Sequence, residues 1–124
     1  MGTRELRFWW LGRTEYSEAH RLMLELVRER VSGAGEDVVL MTEHDHVYTL
    51  GRNSRPEHLL WPQHPVHHVE RAGGPTYHGP GQLVAYPIIR LGDWGLGPRE
   101  LVNVLEEAAI RALRRYGPVS YTHL

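Results

Sequence analysis

The residues best placed to do chemistry lie between Arg71 and Pro87, in the stretch RAGGPTYHGPGQLVAYP. Four glycines and two prolines fall between Gly73 and Gly81, so the backbone can turn sharply and approach a ligand closely while Pro75 and Pro80 limit its wandering. Thr76, Tyr77 and His78 stand together on that backbone, and the mostly apolar run from Gln82 to Ile89 reads as a buried strand that carries the loop into the domain. A loop without ligand, entering a strand, is the plain alternative on composition alone.

Other candidate groups are weaker. His44 and His46, and the pair His67 and His68, suggest a metal, but the second pair faces opposite ways on a strand and no third ligand stands at a standard spacing. They read as surface histidines, with His44 held in a turn against Glu43 or the glycine loop. Trp9, Trp10, Trp61 and Trp94 lack a basic stripe around them and read as core or pocket wall rather than a nucleotide-stacking platform. Arg114 and Arg115 complement the end of a helix dipole and require no partner.

Composition excludes several chemistries. The chain has 124 residues, a formal net charge of −1 and no cysteine, and all 14 basic side chains are arginine. Thiolate chemistry, Schiff-base chemistry and a P-loop lysine therefore cannot come from this chain. Near-neutral charge gives no electrostatic case for nucleic acid or an anionic membrane, and no run reaches the roughly 18 apolar residues of a membrane span. The expectation is a cytoplasmic protein of one domain.

The elements that must position these groups follow from periodicity. Leu6 to Leu11 reads as an opening strand ended by Gly12, and Thr14 is placed to cap a helix to about Val31 with Tyr16, Ala19, Met23, Leu26 and Val27 on its apolar face. Val38 to Met41 and Val47 to Leu50 read as strands on either side of a polar turn at Thr42 to His46. Asn53 to Pro65, with three prolines, reads as a loop with one short turn near Glu57 to Leu60, followed by a strand from Val66 to Glu70. Beyond the strand at Leu83 to Ile89, Gly92 to Gly97 is a connection, Pro98 opens a second helix with Leu101, Leu105, Ala108, Ala112 and Tyr116 on one face, and Gly117 with Pro118 stops it. This order implies an α/β (α+β) domain in which helices pack on a mixed sheet.

Two blocks, TEHDHVYTLGR at Thr42 to Arg52 and RAGGPTYHGPGQLVAYPI at Arg71 to Ile88, resemble the octanoyltransferases of lipoate biosynthesis, the lipoate-protein ligase B family. The likeness covers most of Val38 to Gly117. It departs at Ala72, where the family has glycine and where alanine fits only with φ below zero. The resemblance implies the fold of the biotinyl/lipoyl protein ligase catalytic domain and a reaction that moves an octanoyl group from octanoyl acyl carrier protein to a lysine of a lipoyl domain, in 2-oxoacid dehydrogenases and the glycine cleavage H protein. It implies no cofactor and no metal, and no nucleic acid or membrane as partner.

By the same resemblance, Arg71, Ala72, Gly73, Gly74, Pro75, Thr76, Tyr77 and His78 line the substrate pocket, with His78 or a loop N–H expected to stabilise a developing oxyanion. The family's acyl-carrying cysteine and the lysine that favours its thiolate lie downstream of the glycine block, and this sequence has neither residue. Residues 1–117 are therefore expected to be the N-terminal part of the catalytic domain, incomplete at the C-terminus, with 118–124 a non-matching tail, and the chain alone is expected not to turn over. Two rival classes are an ATP-using lipoate or biotin ligase, whose adenylating lysine and nucleotide loop are not seen, and a noncatalytic module that binds an acyl chain or a lipoyl domain.

Overall fold

A computed structural model describes residues 4–55, 57, 59–60 and 62–117. The tail at 118–124, Pro118 as a helix stop, Trp61 and part of the expected Glu57 to Leu60 turn lie outside the described residues. The chain forms two compact units, Met1–Ile89 and Arg90–Leu124.

Among the described residues the first unit holds six strands and one α-helix: β1 (Arg7–Thr14), α1 (Tyr16–Val31), β2 (Val38–His44), β3 (Val47–Leu50), β4 (Val66–His68), β5 (Pro75–His78) and β6 (Val84–Ile88). They make two three-stranded sheets, ordered β1-β2-β6 and β4-β3-β5, each combining one parallel and one antiparallel pairing. The expected mixed α+β architecture is present, divided between two sheets.

Strand β1 does not stop at Gly12. Its pairing with β2 slips between Trp10 and Arg13, and Gly12 sits there at φ 71°, a conformation glycine takes without a side-chain clash. The strand resumes through Thr14, so the cap of α1 moves one residue on: the Glu15 carboxylate accepts from the Ser17 N–H. The Ser17 hydroxyl donates to the same carboxylate, and it first and the Ser17 N–H second hold the Glu15 carboxyl below its usual range. Tyr16 and Ala19 are buried on α1 as the spacing predicts, and Met23 and Leu26 pack on the core, but Val27 turns outward and Leu22 takes the inner place.

The core follows from the period-2 alternation of β2. Val38, Leu40, Thr42 and His44 occupy alternate positions and so share one face. Its apolar end, Val38 and Leu40, packs with Ile88 of β6 and with Leu22, Met23 and Leu26 of α1. Phe8 and Trp10 lie 63% and 62% exposed on β1, so these aromatic residues are not core. The reason is position: β1 is an edge strand, and its residues alternate between the two faces of the sheet. Trp9 is also exposed, beside Leu26 and Val38 in a shallow cleft.

In the second unit a 3₁₀ turn at Leu91–Trp94 precedes α2 (Pro98–Arg114), which starts with proline in its first turn as the sequence predicts. Its buried residue is Ile110, whereas Leu105 and Tyr116 of the expected apolar face are exposed, Tyr116 lying past the end of the helix. Among the described residues no helix is long and apolar enough to cross a membrane.

Leu40 is 0% exposed at the centre of the β2 face. Leu40→Ala is expected to cost about 2–5 kcal/mol, through lost transfer energy and the cavity left behind. Urea unfolding checks this, with a fall in midpoint and an unchanged slope expected.

Candidate functional site

The two sequence blocks meet at the end of β3. Beyond Leu50, the Gly51 N–H donates to Gly74 O at 3.2 Å, Arg52 N–H to Arg71 O at 3.0 Å and Asn53 N–H to Gly73 O at 3.0 Å, while Asn53 Oδ1 accepts from the Gly73 N–H at 3.0 Å. The glycine loop is thereby laced onto the residues that follow β3. Glycine is required at 51, because a Cβ there would meet Arg71 O at 2.9 Å, the Arg71 guanidinium at 2.7 Å and also Gly73 O. Gly73 takes φ 90°, and no residue other than glycine has positive φ among the described residues, so Ala72 keeps the backbone sign that alanine tolerates.

Arg71 fastens the loop from within. Its Nη2 donates to Thr49 O at 2.9 Å and Thr49 Oγ1 at 2.8 Å, and its Nη1 donates to Ala72 O at 3.0 Å. Bonds from a charged donor contribute roughly 1.5–3 kcal/mol each, more than a neutral pair. The guanidinium also acts electrostatically on the hydroxyls of Tyr16 and Tyr86, favouring their ionised forms. Burial outweighs that attraction for both, holding each hydroxyl above its ordinary range, so both keep their protons near neutral pH.

Pairing of β5 with β3 distributes the loop's side chains. Val47 is opposite His78, Tyr48 opposite Tyr77 and Thr49 opposite Thr76. Thr76 and His78 therefore share a face with Val47 and Thr49, and Tyr77 points to the other. On that other face the Tyr77 hydroxyl hydrogen-bonds His46 Nδ1, Tyr48 and Tyr77 lie 5.6 Å apart, and His46 stacks on His64 at 4.4 Å. On the first face the His78 ring lies 5.8 Å from His44, and His78 Nδ1 is 2.5 Å from Gln82 Oε1.

His44 corrects the expectation of a surface histidine in a turn. β2 runs on to His44, and the residue that would have been exposed is 0% exposed at the polar end of the Val38, Leu40, Thr42 face. The turn is shorter than expected because Glu43 and His44 still pair with β1, at Arg13 and Thr14. His44 Nε2 is 2.7 Å from the Tyr86 hydroxyl, and Nδ1 is 3.2 Å from both Thr14 O and Thr14 Oγ1. The Thr14 carbonyl only accepts, so the ring proton is on Nδ1 and Nε2 accepts from Tyr86. Thr14 Oγ1 lies 2.7 Å from Thr42 Oγ1, which donates to Gly12 O at 2.7 Å and ends the chain of bonds.

Tyr16 completes this wall, packing edge-on to His44 at 5.3 Å and against His67 at 5.1 Å. His67 faces inward and His68 outward, as alternation on β4 requires. Among the described residues no group of three or more histidine, aspartate or glutamate side chains could hold a metal ion.

Sequence reasoning named none of Thr14, Tyr16, Thr42, Gln82 and Tyr86 as a site residue, reading Thr14 as a helix cap and Tyr16 as part of an apolar helix face. The available signal was the alternation of β2, in which Thr42 and His44 continue the face of Val38 and Leu40.

Burial lowers the pKa of His44 from its ordinary 6.5, outweighing the Thr14 carbonyl, which favours the protonated ring. Below pH 6.5 the unfolded chain takes up a proton at this position before the folded chain does. Stability from this residue is thus present above 6.5 and lost as pH falls through the folded value. Urea midpoints measured from neutral pH down to about pH 5, a range spanning the usual histidine titration, are expected to fall more steeply for the wild type than for His44→Gln. Equal slopes would assign the acid sensitivity elsewhere.

Comparison with known proteins finds relatives of one family. The lipoyl protein ligase A/B catalytic domain model matches residues 15–123. The chain is similar to a probable octanoyltransferase of Pyrobaculum arsenaticum, 48% identical over 112 residues, covering 90% of this chain and 51% of that protein. It is 43% identical over 113 residues to an octanoyltransferase of Halorhodospira halophila, covering 90% of this chain and 52% of the relative. It is also 40% identical over 119 residues to an octanoyltransferase of Bacteroides fragilis, with 90% and 51% covered. The chain thus spans about half the length of the curated relatives it matches. With both sequence blocks inside the matched region and laced together in the fold, the chain belongs to the lipoyl protein ligase A/B catalytic domain family.

Proposed function

We propose that this chain forms the substrate-binding wall of an octanoyltransferase, one that moves an octanoyl group from octanoyl acyl carrier protein to the lysine of lipoyl domains in 2-oxoacid dehydrogenases and the glycine cleavage H protein. The observation that carries the proposal is the lacing of Arg71 to Gly74 onto Thr49 to Asn53, which fixes a glycine-rich backbone beside the buried His44 and Tyr16 and the half-buried Tyr86. A loop held in this way can bring its N–H groups close to an acyl carbonyl without ordering itself at the moment of binding. Arg71, Ala72, Gly73, Gly74, Pro75, Thr76, Tyr77 and His78 form the pocket lining in this reading, and the location is cytoplasmic.

The chemistry requires no ATP. Exchange between thioesters is near balance and aminolysis of a thioester to an amide is downhill. The sequence has no cysteine to carry the acyl group and no lysine to favour a thiolate, so the 124 residues bind substrate without turning it over.

Calorimetric titration with octanoyl acyl carrier protein and with the unacylated carrier checks this. Burying even two methylenes contributes about 1.6 kcal/mol, so at least about tenfold tighter binding of the acylated form is expected. Mass spectrometry is expected to show no covalent octanoyl adduct. Equal affinity for the two carriers, or octanoyl transfer by these residues alone, would overturn the reading.

A further inference from the structure

His78 and Tyr86 both lie against His44, and the partners of both fix where their protons are. His78 Nδ1 is 2.5 Å from Gln82 Oε1, and an amide oxygen only accepts. The His78 proton is therefore on Nδ1 in the neutral ring, leaving a lone pair on Nε2. No hydrogen bond joins His78 Nε2 to another described residue. The Tyr86 hydroxyl is held the same way, since its proton is directed to His44 Nε2 at 2.7 Å. What both side chains have left to offer a ligand is an acceptor.

We propose that Gln82 is a positioning residue that fixes His78 as a proton acceptor, and that the ligand group seated beside His78 is a donor, the amine of an acceptor lysine. This rests on the octanoyl-transfer reading. In the step it implies, the amine nitrogen bonds to the carbonyl carbon of an octanoyl thioester and the carbon–sulfur bond breaks. The amine proton passes to His78 Nε2 and from there to the departing sulfur, so thioester plus amine becomes amide plus thiol with His78 and Gln82 unchanged. Oxyanion stabilisation, expected of His78 or a loop N–H, then falls to the backbone N–H groups, since the neutral ring in this tautomer has no second proton to give.

The test is long-range ¹H–¹⁵N NMR of the labelled 124-residue chain above the imidazole titration range, with His78 assigned by loss of its signals in His78→Asn. The expected pattern is a pyrrole-like Nδ1 and a pyridine-like Nε2, the reverse of the usual preference of histidine. Gln82 is exposed, so Gln82→Leu is expected to leave the fold intact and return His78 to the Nε2–H form. An Nε2–H ring in the wild type, or a tautomer unmoved by Gln82→Leu, would contradict the proposal. Adding an unlabelled lipoyl domain is expected to shift His78 Nε2, and adding the same domain with its acceptor lysine changed to methionine is not. Identical shifts would remove the amine from the proposal. The tautomer is read without any acyl substrate, so failure of octanoyl binding and failure of this inference are separate results.

Discussion

The structure depends on the two hydrogen bonds that the Arg71 guanidinium makes to Thr49, one to its carbonyl and one to its hydroxyl. Thr49 is buried in the central strand of its sheet, so a cation brought to it loses solvent and must find fixed acceptors. Both acceptors are supplied by one residue, and the planar guanidinium can meet both at once, which an ammonium would do less well. From this anchor the backbone of Arg71 to Gly74 lies against Gly51 to Asn53, where any side chain at position 51 would be in the way. Loop conformation, strand β5 and the placement of His78 all follow from that anchor.

A second constraint runs along β2. One strand face begins as Val38 and Leu40, packed in the core, and ends as Thr42 and His44, equally shielded from water. Burying polar groups there costs free energy unless each is paired, and each is: Thr42 donates to the carbonyl that the Gly12 bulge turns toward it, and His44 has a partner on both nitrogens. The bulge in β1 therefore serves the site, since it lets Thr14 reach His44 while the strands remain paired. Satisfied networks of this kind make side-chain positions unique, which a site built on rigid strands requires.

Much of this was legible in the sequence, for identifiable reasons. The short apolar run Val47 to Leu50 and the proline at the start of α2 are local signals, and both elements form where those signals place them. The glycine block was readable as a loop, but Pro75 to His78 is a strand, because its pairing with β3 is a nonlocal fact that local composition opposes. His44 was misread because Glu-His-Asp-His reads locally as a polar turn, whereas register with β1 carries the strand two residues past Thr42. Trp9 and Trp10 were read as core or pocket wall; both are exposed, Trp9 beside a shallow cleft, because hydrophobicity says nothing of which strand becomes an edge. The pocket lining came from resemblance; the acceptor character of His78 and Tyr86 needed distances.

Amide hydrogen exchange at Gly51, Arg52 and Asn53 tests the central claim most directly, because their N–H groups are the donors that lace the glycine loop to the end of β3. If the loop is held as described, these three amides exchange as slowly as those of Tyr48 and Val69, which donate to Pro65 and Leu50 on the same sheet, and Arg71→Lys speeds them selectively. Exchange at the rate of an open loop in the wild type, with Tyr48 and Val69 still protected, would show that the glycine block is not anchored to β3.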